Sequence, residues 1–234
     1  MLADALPLGE IQRRLDAAAA MQPSAELSDH RVTAAAVQAE WRLLRRADRL
    51  LAAHRDVVRV LQAAGLSPQV LDWVAPKAAA AQSAERRTAG APRTIVFPAS
   101  ALARKGADQL AHTLRGLKAE RGPSFRLVVL GSPPSDASLW SSLDVHYERY
   151  EGDWLQRADV VVLPAIVEHA PRALLAALAH CLPVIATPAC GLAPHPLLTE
   201  VPAGDATALR QALVRALLPP AGSGAPAPAR QFAA

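Results

Sequence analysis

Residues 158–192, ADVVVLPAIVEHAPRALLAALAHCLPVIATPACGL, constrain the fold of this chain more than any other stretch. Residues 159–164 are a short, β-branched apolar run closed by a proline. Glu168, His169, Ala170 and Pro171 make a loop whose proline stands where a helix starts, and residues 173–179 are helix formers. Residues 183–187 read as a second buried strand. Strand, loop, helix, turn and strand in that order spell a βαβ unit with two parallel strands. The loop after the first strand then opens on the carboxyl edge of the sheet, where open α/β sheets bind ligands.

The flanking sequence repeats the pattern. A strand is predicted over 94–97, and a helix over 105–119 with Leu110, Leu114 and Leu117 on one face. A strand at 125–130 ends on Gly131, and a short strand at 145–147 and a helical turn at 153–157 follow. After the βαβ unit, a short run at 197–201 leads to a turn whose Asp205 can cap a last helix, buried through Leu209, Ala212, Leu213 and Leu217. This alternation predicts an α/β fold, a Rossmann-like doubly wound parallel sheet over residues 91–218.

Residues 1–90 read as a helical segment that ends in a linker. Ile11, Leu15 and Ala18 mark a short amphipathic helix that Pro23 stops. Ser28 or Asp29 is placed to cap a longer helix carrying Val37, Trp41, Leu44 and Leu51, with Arg42, Arg45, Arg46 and Arg49 on its other face. A third helix spans 54–64 and stops at Gly65, and residues 70–74 are the only strand-like run. Residues 77–91 hold no large apolar side chain and read as a loop or linker, with a surface helix as the alternative; the Pro/Ala/Gly tail at 219–234 reads as disordered.

Composition narrows the function classes. A net charge of +4 is a mild basic bias. The cations are dispersed, which argues against nucleic acid and is compatible with an anionic small ligand or a peripheral contact with acidic lipid. Cys181 and Cys190 flank one strand without metal spacing and read as two buried free thiols in a reducing compartment. His146, His180 and His195 form no metal-spaced cluster. No span-length apolar run and no leader pattern occur, so the expected location is cytoplasmic. The absence of G-x-S-x-G, P-loop and G-x-G-x-x-G patterns disfavours serine hydrolase, P-loop nucleotidase and typical dinucleotide oxidoreductase chemistry.

The candidate site lies along one sheet edge. Glu168 is placed to accept hydrogen bonds from sugar or ribose hydroxyls, or else to sit near a helix N-terminus that favours its charge. The main-chain N–H groups of His169, Ala170 and Arg172, around Pro171, are placed to cradle a diphosphate, although every helix start offers such donors. Arg104 and Lys105, followed by Gly106, put two cations at the same edge, as a phosphate clamp would. Gly131 ends a strand there and either admits a ligand closely or is a plain turn residue.

Taken together, four stretches resemble the C-terminal, donor-binding domain of a GT-B glycosyltransferase of the family 4 (group 1) type. They are TIVFPASALARKGADQL, FRLVVLG, RADVVVLPAIVEHAPRALLAALAHCLPVIATPACGL and EVPAGDATALRQAL, in the family's order and spacing. The stretch AEWRLLRRADRLLAAHRDVVRVLQAAGLSPQVLDWVAP resembles the end of the family's N-terminal domain, most of which has no counterpart here. The resemblance implies transfer of a hexosyl group from a nucleoside diphosphate sugar, with no metal and no cofactor besides that donor. Lys105 is then the diphosphate lysine, Glu168 the first of a glutamate pair, and residues 168–172 the backbone cradle.

Three departures accompany it. The second glutamate of the pair falls on Ala176, the arginine partner of the lysine falls near Ser100, and a glycine after the helix is Cys181. Losing a carboxylate that accepts a charge-assisted hydrogen bond costs about 1.5–3 kcal/mol, so nucleotide binding is expected to be about ten- to a hundredfold weaker. The resemblance therefore implies a truncated glycosyltransferase, which needs a missing N-terminal domain or a partner chain to supply the acceptor side. The alternatives are a non-catalytic nucleotide-sugar-binding or interaction subunit, and a small-ligand α/β binding domain or epimerase-like enzyme with convergent motifs. The Ala/Arg/Pro usage suggests a bacterial, high-GC source.

Overall fold

The computed structural model describes residues 1–3, 5–22, 25–28, 31–71, 73, 91–134, 136–150 and 153–218. The N-terminal segment contains α1 (Leu8–Met21), α2 (Ala25–Ser28), α3 (Ala34–Arg46), β1 (Leu51–Ala52), α4 (Arg55–Ala63) and β2 (Gln69–Val70). The remainder contains β3 (Arg93–Phe97), α5 (Ala107–Ala119), β4 (Phe125–Leu130), β5 (Val145–Glu148), α6 (Trp154–Arg157), β6 (Val160–Leu163), α7 (Arg172–Ala179), β7 (Val184–Ala186), β8 (Leu198–Glu200) and α8 (Ala206–Leu217).

The main sheet has six parallel strands in the order β5-β4-β3-β6-β7-β8. The chain winds outward from β3 in one direction, returns through β6 beside β3, and winds outward in the other. Crossovers of one hand then place α5 and α7 on opposite faces. Both faces of β3 and β6 are therefore covered, and their apolar runs lack the alternation of a half-exposed strand: Ile95, Val96, Phe97 and Val160 to Val162 are all buried. Asp205 caps α8 by accepting from the Ala208 N–H at 2.8 Å, and Leu209, Ala212, Leu213 and Leu217 face the core, as the sequence predicts.

The helical reading of residues 1–90 needs three corrections. Leu51 lies on no helix; it belongs to β1, which pairs in parallel with β2, so β1-α4-β2 is itself a small βαβ unit. Two-residue strands have too little period-2 pattern to read from sequence. The cap of α3 is Thr33, which accepts from the Ala36 N–H at 3.2 Å; Ser28 ends α2, and Asp29 lies outside the described residues. Pro23, Val74, the linker up to Gly90 and the tail from residue 219 also lie outside them.

The two parts share packing. The core of the N-terminal segment, built on Leu6, Ile11, Leu15, Leu44 and Leu61, is completed by Ala103 and Val167 from the larger unit. Glu26 accepts a hydrogen bond from the Ala103 N–H, and the Arg55 N–H donates to the Gly191 carbonyl at 3.1 Å. Within the segment, Glu10 and Asp56 bracket Arg14, joining α1 to α4.

Candidate functional site

β3 and β6 are neighbours whose following loops leave toward opposite faces, so a crevice opens beyond their carboxyl ends. The loop after β3 does not run straight into a helix. Residues Ala103–Lys105 form a 3₁₀ turn, Gly106 takes φ +79°, and α5 begins only at Ala107. A Cβ at Gly106 would lie 2.1 Å from the Pro164 carbonyl oxygen, so only glycine lets the two crevice loops touch. They are also laced through the main chain: the Ile166 and Val167 N–H groups donate to the Arg104 carbonyl at 3.0 and 3.3 Å.

That lacing sets Lys105 over Glu168. Nζ of Lys105 lies 2.7 Å from Oε2 of Glu168, with only 12% and 10% of the two side chains exposed. The other carboxylate oxygen accepts from the main-chain N–H groups of His169 at 2.8 Å and Ala170 at 3.1 Å. Burial works against the charge on Glu168, yet Lys105 and the two amides together hold its carboxyl below the usual range. Pro171 stands at the N-cap of α7, and Arg172, exposed, is its first residue. The crevice therefore brings together Lys105, Glu168 and the 169–170 amides, with the ammonium and both amides converging on the one carboxylate.

Other sequence-selected residues have different surroundings. Arg104 contributes its carbonyl to the loop lacing, and its side chain makes no ion pair among the described residues. Gly131, at φ +150°, is filled by a protein neighbour: a Cβ there would meet the main-chain nitrogen of Ser100 at 2.7 Å. Ser100 Oγ accepts from the Ser132 N–H at 3.3 Å, which fastens the loop after β3 to the end of β4. Ala176 is half-buried on α7, and its carbonyl accepts from the His180 N–H and lies 2.8 Å from Nδ1 of the same residue. Cys181 is exposed, which corrects the reading of two buried thiols; a position just past a helix end points outward whatever the apolar character of its neighbours. Cys190 is fully buried, and burial together with the nearby Glu168 charge pushes its thiol up to about 12. No group of three metal-ligating side chains occurs among the described residues.

Two residues near the site are not singled out by the sequence. His54 caps α4, its Nδ1 accepting from the Val57 N–H at 3.4 Å, and it is fully buried. Its ring occupies the space where a Cβ of Gly191 would stand, and burial pushes it below its usual pKa against the pull of Asp56 and Glu168. A polar residue between a short apolar run and a helix is the available signal. Tyr150 follows β5, is 46% exposed, rests on Trp154 at 6.0 Å between ring centroids, and senses the charge of Arg172. A cavity of about 340 Å³ lies to one side, between Leu71 and Trp73 of the N-terminal segment and Leu175 and Leu178 of α7.

Comparison with known proteins agrees with this geometry. Residues 92–218, more than half of the chain, match the family model described as "Glycosyl transferases group 1". Among solved structures, a sucrose-phosphate synthase from Thermosynechococcus elongatus superposes with a TM-score of 0.60 at 19% identity, over 86% of this chain and 56% of that one. The lipopolysaccharide outer core galactosyltransferase WaaB, in its apo form, gives 0.54 at 17% identity, over 81% of this chain and 56% of that one. At these identities the likeness is one of fold, and it extends beyond the family match into the N-terminal segment. The chain spans a little over half the length of these proteins. No curated protein gives a significant match.

Proposed function

The chain belongs to the group 1 glycosyl transferases, and from that premise we propose that it carries the donor side of hexosyl transfer from a nucleoside diphosphate sugar. The observation that supports this most directly is the convergence of Lys105, Glu168 and the 169–170 amides at the switch point of the sheet. A diphosphate seated there meets one ammonium, two loop amides and the N-terminal end of α7. As the bond from sugar to diphosphate breaks, charge grows on the leaving phosphate, and donors already aimed at that point lower the barrier without reorganising. Glu168 is the carboxylate available to the sugar hydroxyls. We assign the acceptor side to further chain or a partner; in support, this chain covers 56% of each of the two solved structures it resembles.

The second reading, a non-catalytic nucleotide-sugar-binding subunit, is favoured by one feature, Ala176 where the family pattern carries a carboxylate. We place the protein in the cytoplasm, with any contact to acidic lipid falling on the exposed Arg42, Arg45 and Arg46 of α3. No helix among the described residues is long and apolar enough to cross a membrane. Isothermal titration with UDP, GDP and their hexoses tests the donor site. Saturable binding that Lys105→Ala abolishes supports it; no binding at millimolar ligand removes it. Hexose transfer to any added acceptor, or donor hydrolysis, separates the catalytic reading from the binding one.

A further inference from the structure

Glu168 does something in this structure that a donor-binding carboxylate does not need to do. Its Oε1 sits on the N–H groups of His169 and Ala170, and its Oε2 sits on Lys105. These are the donors that a phosphate would take. We propose that Glu168 is an internal anion that occupies the phosphate position and has to leave it as a diphosphate seats. The proposal rests on the donor-site reading above and adds to it a built-in competitor.

The charge balance favours this. With Glu168 in place, the Lys105 ammonium is neutralised by a carboxylate 2.7 Å away, and an arriving phosphate meets no net positive charge from the pair. With the carboxylate turned out, the same phosphate gains two amides and an ammonium whose side chain is largely shielded from water, where charge-assisted hydrogen bonds are strongest. The exchange is of like for like: one anion leaves the donors and another takes them. Once released, the carboxylate is free to turn to the hydroxyls of the attached sugar.

His54 packs against the back of the same loop. It is fully buried behind residues 168–169, and its Nε2 makes no hydrogen bond of good geometry among the described residues. The Glu168 main chain faces this ring.

The test uses inorganic pyrophosphate, which has the two phosphates and no sugar to hold Glu168 in place afterwards. Wild type, Glu168→Gln, Glu168→Asp and Lys105→Ala are titrated calorimetrically, each after a thermal melt that establishes folding. Removing or shortening the internal anion is expected to tighten pyrophosphate binding by about tenfold or more, and Lys105→Ala to lose it. Glu168→Asp keeps the charge but is one methylene short, so it answers for the site if Glu168→Gln does not fold. Pyrophosphate bound by wild type and bound equally or more weakly by both Glu168 variants overturns the inference and leaves the donor site standing. Binding by none of the proteins overturns both. Binding by the Glu168 variants alone is the strongest support.

Discussion

Among the described residues three helices end in the same way, and the ending of α7 is strained. In each, the second residue past the helix takes a positive φ, and two main-chain hydrogen bonds close the end. After α4 the Gly65 N–H donates to Gln62 and the Leu66 N–H to Leu61; after α5 Arg121 donates to Lys118 and Gly122 to Leu117; after α7 Cys181 donates to Leu178 and Leu182 to Ala177. The left-handed residue is Gly65 at +79°, Arg121 at +54° and Cys181 at +57°. A side chain in that conformation costs about 1–2 kcal/mol. Cys181→Gly removes this cost, and its exposed thiol gives up little burial. Against that stands the greater freedom of glycine in the unfolded chain, about 0.4–1 kcal/mol. The net expectation is a stabilisation of about 0.5–1 kcal/mol, read as a higher urea midpoint at unchanged slope and a melting point raised by about 1–4 °C. Gly65→Ala supplies the mirror image. A Cβ there meets nothing within 4 Å, so the change should destabilise by a similar amount through the backbone alone. Melts are run with reductant, so that the exposed thiol does not cross-link. If Cys181→Gly lowers the midpoint while Gly65→Ala lowers it too, residue 181 is not strained and the reasoning fails.

Other outcomes follow from the site and its surroundings. Ala176→Glu restores a carboxylate to α7 and should tighten nucleoside diphosphate binding about ten- to a hundredfold by titration; an unchanged affinity places the ribose elsewhere. Of the two thiols, Cys181 should react with a soluble maleimide under native conditions and Cys190, buried with its pKa pushed up to about 12, should react only on unfolding, as mass spectrometry of the labelled protein would read. Stability should fall on acidification in two stages. Burial holds His54 below its usual pKa, so the unfolded chain takes up that proton first, as pH falls through about 6.5. The lowered carboxyls of Glu10 (about 2), Asp56 and Glu168 then withdraw their contribution as pH falls from about 4.5, with Glu40, raised by burial, opposing them in part. A urea midpoint independent of pH between about 7 and 3 would falsify this account.

The sheet is legible in the sequence because its central strands are buried on both faces. Val160 to Leu163 and Ile95 to Phe97 leave no choice between strand and surface, and the short helices between them force parallel pairing. The site is legible as a set of residue types at one edge, Lys105 and Glu168 above all. What the sequence does not carry is which donors a carboxylate of that kind takes. That depends on Gly106 lying against Pro164 and on the lacing of two loops whose paired residues stand 63 apart in the chain. Gly131 is open to a reading as ligand space because a glycine does not say which neighbour uses its vacancy; here it is Ser100. His54 is invisible as a site residue for the same reason, as its importance comes from Gly191, far along the chain.

The core of the N-terminal segment is closed by Ala103 and Val167, and this sets an order on synthesis. A segment of about 70 residues seldom gathers enough buried area to stand alone. Its helices therefore leave the ribosome before two of the side chains that complete their packing exist. At about 5–20 residues per second, the interval between β2 and Val167 is on the order of 5–20 s. Through that interval the core that Ala103 and Val167 complete stays open. The βαβ unit at residues 158–192 thus serves two cores, its own and, through Val167, the one that waited for it.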